Sequence, residues 1–299
     1  MIVQHISAFT NGPHGGNPAG VVLCEKLPDA GTMQAIAAEV GYSETAFVAS
    51  SEKVASSEKA WRVRYFAPEV EVDFCGHATI AVGAALAKHQ GPGTFALQLN
   101  RAAITVDGYR SGEGWGAAFQ SPPTRSRDAT AVLVDEALVL FGLARGDLDD
   151  RIPAAIAHAG ADHLVLALRR RADLTAMRYD FGEARDLARR EGVVTFSLIF
   201  AETAQIFHAR NPFPIGGVYE DPATGAAAAA LAGYLRDLGW PHQGAIDIRQ
   251  GEDMGIPCCL RAEIVPQQGA PVRVSGRVRF MHDGEGMAGI RAGQPVQQD

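Results

Sequence analysis

Asp73-Phe74-Cys75-Gly76-His77-Ala78-Thr79-Ile80-Ala81-Val82-Gly83-Ala84-Ala85-Leu86-Ala87 decides how this chain is read. A glycine and a histidine lead into a run of small apolar residues, which predicts a helix from His77 to about His89. Asp221-Pro222-Ala223-Thr224-Gly225-Ala226-Ala227 opens a second such run, helical from Thr224 to Leu238. The two aspartates stand 148 positions apart (221 − 73), close to half of the 299 residues. The spacing from aspartate to glycine differs by one between them, so this is an echo and not a strict repeat. It indicates two similar halves, each with a glycine-bearing helix start.

The flanking sequence reads as strands. The opening Met1 to Thr10 alternates loosely, Asn11 to Gly20 is a Gly/Pro/Asn-rich loop, and Val21 to Cys24 resumes a strand. Met33, Ile36, Ala37 and Val40 recur at helical spacing, with Gly41 as a stop. Thr45–Ala49 and Trp61–Phe66 are strand-like, and three short strands follow near 94–99, 102–107 and 116–120. Ser121-Pro122-Pro123-Thr124 breaks the pattern, and the charged Arg125 to Asp128 extends the break. That places a domain boundary between 1–120 and 121–299, with the last stretch of about 20 residues able to cross back to the first domain. Beyond it, helices are expected at Val132–Phe141 and Gly182–Arg190. Strands are expected at Leu164–Leu168, Val193–Phe200, Ala204–Ala209 and within 245–250, 258–265 and 271–280.

Composition narrows the function. With 47% hydrophobic and 20% charged residues the chain can build a core, and its net charge is −7 (27 − 34). An acidic chain without a basic block argues against nucleic acid as the main partner. The longest apolar run, Ala226 to Leu235, is far short of the roughly 20 residues that a bilayer requires, so no membrane span is expected. The opening MIVQHISAF has neither the basic nor the apolar region of a signal peptide. Cys24, Cys75, Cys258 and Cys259 form no CxxC pair, which fits free thiols in a reducing cytoplasm. The nine histidines lack HxH or HExxH spacing, so no metal site is expected, and the nucleotide loops GxxxxGK[ST] and GxGxxG are absent.

Each candidate for chemistry carries two readings. The glycines at 76 and 225 either let helices pack closely or let an anion approach the helix ends near Gly76, His77, Gly225 and Ala226. Glu44 is either a solvated loop residue or, lying between a helix end and an apolar strand, a partly buried base. His77 is a structural hydrogen-bonder or a second proton-handling group. Cys75 is an inert buried thiol or one activated by the helix start that follows it. Asp221 either caps the second helix or orients a substrate amine. Ser43, outside any GxSxG context, is a poor nucleophile.

Taken in order, several stretches together resemble the PhzF-like family, the phenazine-biosynthesis isomerase group of the diaminopimelate-epimerase-like fold. They are Gly16-Asn17-Pro18-Ala19, Ser43-Glu44-Thr45-Ala46-Phe47, Val72-Asp73-Phe74-Cys75-Gly76-His77-Ala78-Thr79, Glu220-Asp221-Pro222-Ala223-Thr224-Gly225 and, more weakly, Gln250-Gly251-x-x-Met254-Gly255. The resemblance implies an α+β fold of two similar domains. Each would be a curled, barrel-like mixed β-sheet around one of the Ala-rich helices, with the active site in the cleft between them. It implies Glu44 as the catalytic carboxylate, His77 and Asp221 as its helpers, and Asn17, Cys75, Gly76, Gly225 and Ala226 as substrate-binding positions. It further implies no cofactor and no metal, a small-molecule carboxylate as substrate, and a homodimer. Two departures bear on the substrate. Ala226 stands where the family often has serine, and Ile256-Pro257-Cys258 replaces the common Arg-Pro-Ser.

The leading expectation is therefore a cofactor-independent isomerase that moves a proton between carbons of a small amino or hydroxy carboxylic acid. A two-base racemase or epimerase using two cysteines is the near rival. Cys75 fits its first thiol, but no cysteine occurs at Asp221 to Gly225 for the second. A small-molecule binding protein that keeps the site without turnover is the third reading.

Overall fold

The structure, a computed structural model, describes residues 1–51 and 60–282. These residues divide into two compact units, Met1–Gln120 with the chain from Ser275, and Ser121–Val274. The expected return of the chain terminus lies largely outside the described residues.

The first unit holds β1 (Gln4–Ala8), β2 (Asn17–Cys24), α1 (Ala30–Val40), β3 (Thr45–Ser51), β4 (Ala60–Phe66), β5 (Glu71–Val72), α2 (Gly76–Gln90), β6 (Gly93–Gln98), β7 (Ala103–Ser111) and β8 (Gly114–Gln120). The second holds β9 (Arg125–Asp128), α3 (Ala131–Leu140), β10 (Ala155–His158), β11 (Asp162–Leu168), α4 (Arg171–Thr175), α5 (Phe181–Glu191), β12 (Thr195–Ala201), β13 (Ile206–Phe213), β14 (Val218–Asp221), α6 (Gly225–Asp237), β15 (Ala245–Gln250) and β16 (Cys258–Glu263). The last strand, β17 (Arg273–Phe280), returns to the first unit.

In the first unit β1 pairs antiparallel with β2, β2 parallel with β3, β3 antiparallel with β4, and β4 antiparallel with β5 and parallel with β6. The antiparallel run β6–β7–β8 follows, and β17 pairs with both β8 and β1, which closes the sheet into a ring. The second unit repeats this order. There β10–β11 is antiparallel, β11–β12 parallel, β12–β13 antiparallel, β13–β14 antiparallel, β13–β15 parallel and β15–β16 antiparallel. The fold is the expected α+β, epimerase-like one.

Inside the first ring runs α2. Every residue from His77 to Ala87 is buried, and the helix packs on β1, β2, β3, β6, β7 and β8. A helix enclosed by strands on all sides must be apolar all round and narrow, which is what the Ala/Gly-rich run supplies. At Gly108 on β7 an added Cβ would overlap the Gly83 carbonyl of α2. In the second unit α6 is likewise buried from Ala227 to Arg236 and packs on β9, β10, β11, β15 and β16. On the outer face of the first ring, Met33 and Ala37 of α1 cover Val22, Phe47 and Phe66. Asp29 caps α1 by accepting from the Thr32 N–H at 3.0 Å, and Gly41 ends it in the left-handed region (φ 69°).

Three local expectations are corrected. Asn17 to Gly20 is strand and not loop, because pairing with Ala8 back to His5 outweighs its composition. Arg125 to Asp128 is the strand β9, paired with β10, and not a charged linker. Asp221 does not cap α6, whose N-cap is Thr224.

Candidate active site

Glu44 closes the loop between α1 and β3. That loop is held at three places. Gly41 turns the chain, buried Tyr42 meets His5 Nδ1 through its hydroxyl at 2.9 Å, and the Gly20 N–H donates to the Glu44 carbonyl at 3.1 Å. The backbone of Glu44 is thereby fixed before its side chain makes any contact. Its Oε2 is shielded from water and lies 3.3 Å from His77 Nε2. That approach is an ion-pair distance without hydrogen-bond alignment, and Oε2 accepts no hydrogen bond.

His77, the second residue of α2, is buried between three groups. Its Nε2 is also 3.2 Å from Ser43 Oγ, and its Nδ1 is 3.2 Å from Cys75 Sγ. Cys75 is the extended N-cap residue of α2 and makes no side-chain capping bond. The first helical turn is tied to β4 through Thr79. The Thr79 hydroxyl donates to the Cys75 carbonyl at 2.7 Å and accepts from the Tyr65 hydroxyl at 2.8 Å. Burial pushes the Tyr65 hydroxyl well above its ordinary pKa, so it stays protonated and can donate. Gly76 opens the helix between Cys75 and His77. Asn17 begins β2, is buried and pairs with Ala8.

One donor atom each from Glu44, Cys75 and His77 lies within 4.8 Å of the others. Carboxylate, thiol and imidazole therefore share one small space, although 33 positions (77 − 44) separate them along the chain. The group sets a carboxylate and a thiol beside one imidazole ring, groups of the kind used in acid–base chemistry.

Asp221, Gly225 and Ala226 sit together in the second unit. Asp221 Oδ2 accepts from the Thr224 hydroxyl at 2.7 Å, and its Oδ1 from the Ala223 N–H at 3.4 Å. Buried Gln250 completes the arrangement. Its Nε2 donates to the Asp221 carbonyl at 2.6 Å and to Thr224 Oγ1 at 3.0 Å, and its Oε1 accepts from the Thr224 N–H at 3.2 Å. Gly225 is the buried first residue of α6, and the half-buried Ala226 follows with only a methyl group. Ser43, Thr224 and Gln250 were not among the expected site residues. Each stands inside a stretch that carries the resemblance, but neither spacing nor residue type distinguishes it there.

The chain matches the family described as phenazine biosynthesis-like protein over residues 6–284. An uncharacterised isomerase of Mesorhizobium japonicum is 32% identical, the match covering 93% of this chain and 95% of that protein. The trans-2,3-dihydro-3-hydroxyanthranilate isomerase of Pseudomonas chlororaphis is 31% identical, with 91% and 94% covered. The crystal structure of a PhzF-family phenazine biosynthesis protein of Bacillus anthracis superimposes with a TM-score of 0.79 at 22% identity, over 94% of this chain and 96% of that one. Among the described residues no helix is long and apolar enough to cross a membrane.

Proposed function

The chain belongs to the phenazine biosynthesis-like family of isomerases, and from that premise we propose that it moves a proton between carbons of a small amino or hydroxy carboxylic acid, with Glu44 as the general base. The observation that carries this reading is the state of Glu44 Oε2. It is out of water, beside His77, and engaged in no hydrogen bond. A carboxylate oxygen held in that way has no hydrogen bond to give up before it takes a proton. His77 takes the second role, stabilising the carboxylate charge or accepting its proton through Nε2. Asp221, fixed by Thr224 and Gln250, holds a polar group of the substrate. No cofactor enters this scheme, because carboxylate and imidazole together handle the only atom transferred.

The Pseudomonas chlororaphis relative is named for trans-2,3-dihydro-3-hydroxyanthranilate. We propose a different substrate of the same class here. Ala226 offers no hydroxyl where the family often has serine, and Ile256 offers no cation where it commonly has arginine, so neither supplies the usual contact. The two-thiol racemase is disfavoured by Thr224, which occupies the α6 N-cap as Cys75 occupies that of α2. A homodimer and a cytoplasmic location belong to the same reading and rest on the family pattern. Sedimentation at a constant mass near the 31.7 kDa of one chain would remove the dimer.

The test is turnover in deuterated water against a panel of cyclic and acyclic amino and hydroxy acids. The expected result is an isomerised product carrying deuterium on carbon wherever the transferred proton exchanges before its return. Tight binding of a panel member with neither product nor deuterium incorporation would favour the binding-protein reading.

A further inference from the structure

We propose that Cys75 is a positioning residue, whose thiol holds the His77 ring in the tautomer that leaves the Glu44 lone pair open. Both side chains are buried, and the ring is met on two sides. Cys75 Sγ lies 3.2 Å from Nδ1. On the other side, Ser43 Oγ lies 3.2 Å and Glu44 Oε2 3.3 Å from Nε2. A neutral imidazole carries one ring hydrogen, so one nitrogen donates and the other accepts, and the surrounding groups decide which.

An ionised carboxylate offers only lone pairs. A bare Nε2 would set its own lone pair against Oε2 at 3.3 Å, in a place shielded from water where the repulsion is little screened. A hydrogen on Nε2 removes that repulsion and has an acceptor in the Ser43 hydroxyl. Nδ1 is then the bare nitrogen and needs a donor. Among the described residues, the group that meets it is the Cys75 thiol. The converse bond, from Nδ1–H to sulfur, is the poorer one, because a thiol is a weak acceptor and a bare imidazole nitrogen a good one. The hydrogens therefore run one way, from Cys75 Sγ to Nδ1 and from Nε2 to Ser43 Oγ. This direction accounts for the state of Glu44. Its Oε2 sits beside Nε2 without a hydrogen bond because Ser43 takes the Nε2 hydrogen.

The consequence for the reaction rests on the reading of Glu44 as base given above. An Nε2 that already carries hydrogen has no lone pair with which to accept the proton that Glu44 removes. His77 then steadies the carboxylate charge from beside it, and Glu44 alone carries the proton. The thiol of Cys75 acts only through the ring.

The test is nitrogen-15 NMR of the full chain labelled at histidine, at neutral pH and without substrate. His77→Gln identifies the His77 ring among the nine histidines. The expected spectrum shows hydrogen on Nε2 and a bare Nδ1. Cys75→Ser, whose hydroxyl donates in place of the thiol, should keep this pattern and most of the turnover. In Cys75→Ala both tautomers should appear, and kcat should fall by about 2–10-fold, the worth of one neutral hydrogen bond, with KM little changed. Circular dichroism checks that each variant is folded. Hydrogen on Nδ1 in the wild type, alone or together with one on Nε2, overturns the proposal. A folded Cys75→Ala whose ring is unchanged overturns it too. Spectra as expected beside full turnover of Cys75→Ala would keep the tautomer and remove its service to the reaction. Because the spectra are read without turnover, failure of Glu44 as the base, seen as an active Glu44→Gln, is a separate result.

Discussion

Glu44 is where proton transfer and its alternatives separate. Glu44→Gln keeps the shape and removes the base, so turnover should fall by about 10²–10⁴-fold or more while ligand affinity changes little. Cys75→Ser should cost far less, since the Cys75 thiol, 3.2 Å from His77 Nδ1, takes no part in the proton transfer proposed for Glu44. Steady-state kinetics on both variants decides the matter. A dead Cys75→Ser beside an active Glu44→Gln would replace this mechanism with thiol chemistry. The sequence pointed to Glu44, His77 and Cys75 one at a time, each with an ordinary structural alternative. What it could not show was their meeting, because the Glu44–His77 contact depends on how the α1–β3 loop and the first turn of α2 are tied down. Ser43 was passed over for the same reason. It lacks any nucleophile motif, and its bond to His77 exists only in three dimensions.

The two Ala-rich helices were the most legible elements, because a run that is small and apolar on all faces has few other stable placements. The close approach they make to strands can be tested at Gly108. Its Cβ would overlap the Gly83 carbonyl, so Gly108→Ala should destabilise by about 1–3 kcal/mol. Gly93→Ala on β6, with nothing within 4 Å, should stay within about 0.5 kcal/mol. Urea unfolding of the pair checks the contrast, and equal losses would remove close helix–strand packing as the cause. In the second unit, Gln250→Leu strips partners from the Thr224 N–H and the Asp221 carbonyl. It should cost about 1–3 kcal/mol on the same assay. Elements that sequence reading missed are those specified by a neighbour. β10 is four residues with no alternation, and the Asn17–Gly20 part of β2 has a loop composition. Both become strands by pairing, β10 with β9 and β11, β2 with β1 and β3.

At the scale of the whole molecule the echo between Asp73 and Asp221 proves to be one sign of a repeated strand order, and the repetition has a consequence for stability. The first residue of β3, Thr45, pairs with Gly20, and the first residue of β12, Thr195, pairs with His163. Gly20 leaves no room for a side chain, since a Cβ there would lie 2.8 Å from Thr45 Oγ1. The second unit instead places an imidazole at this position. His163 Nδ1 lies 2.7 Å from Thr195 Oγ1, while its Nε2 is buried without a partner. Burial lowers its pKa from 6.5 to about 4, so the folded chain holds the ring neutral where the unfolded chain would charge it. Between these two values the unfolded state binds more protons, and stability must therefore fall as pH falls from about 6.5 to about 4, by up to about 3 kcal/mol. Carboxylates held low by arginine, such as Asp149 beside Arg151 and Glu71 beside Arg64, lose their contribution only at lower pH. The two windows are thus separable. His163→Asn retains a polar atom near the Nδ1 position for Thr195 and removes the titration. Urea unfolding of both chains at intervals from pH 7 to pH 4 should show the wild type losing stability through that window, with the variant losing less by the His163 share. Parallel curves would mean that His163 takes up its proton in the folded state as readily as in the unfolded one, and the buried neutral imidazole would have to be abandoned.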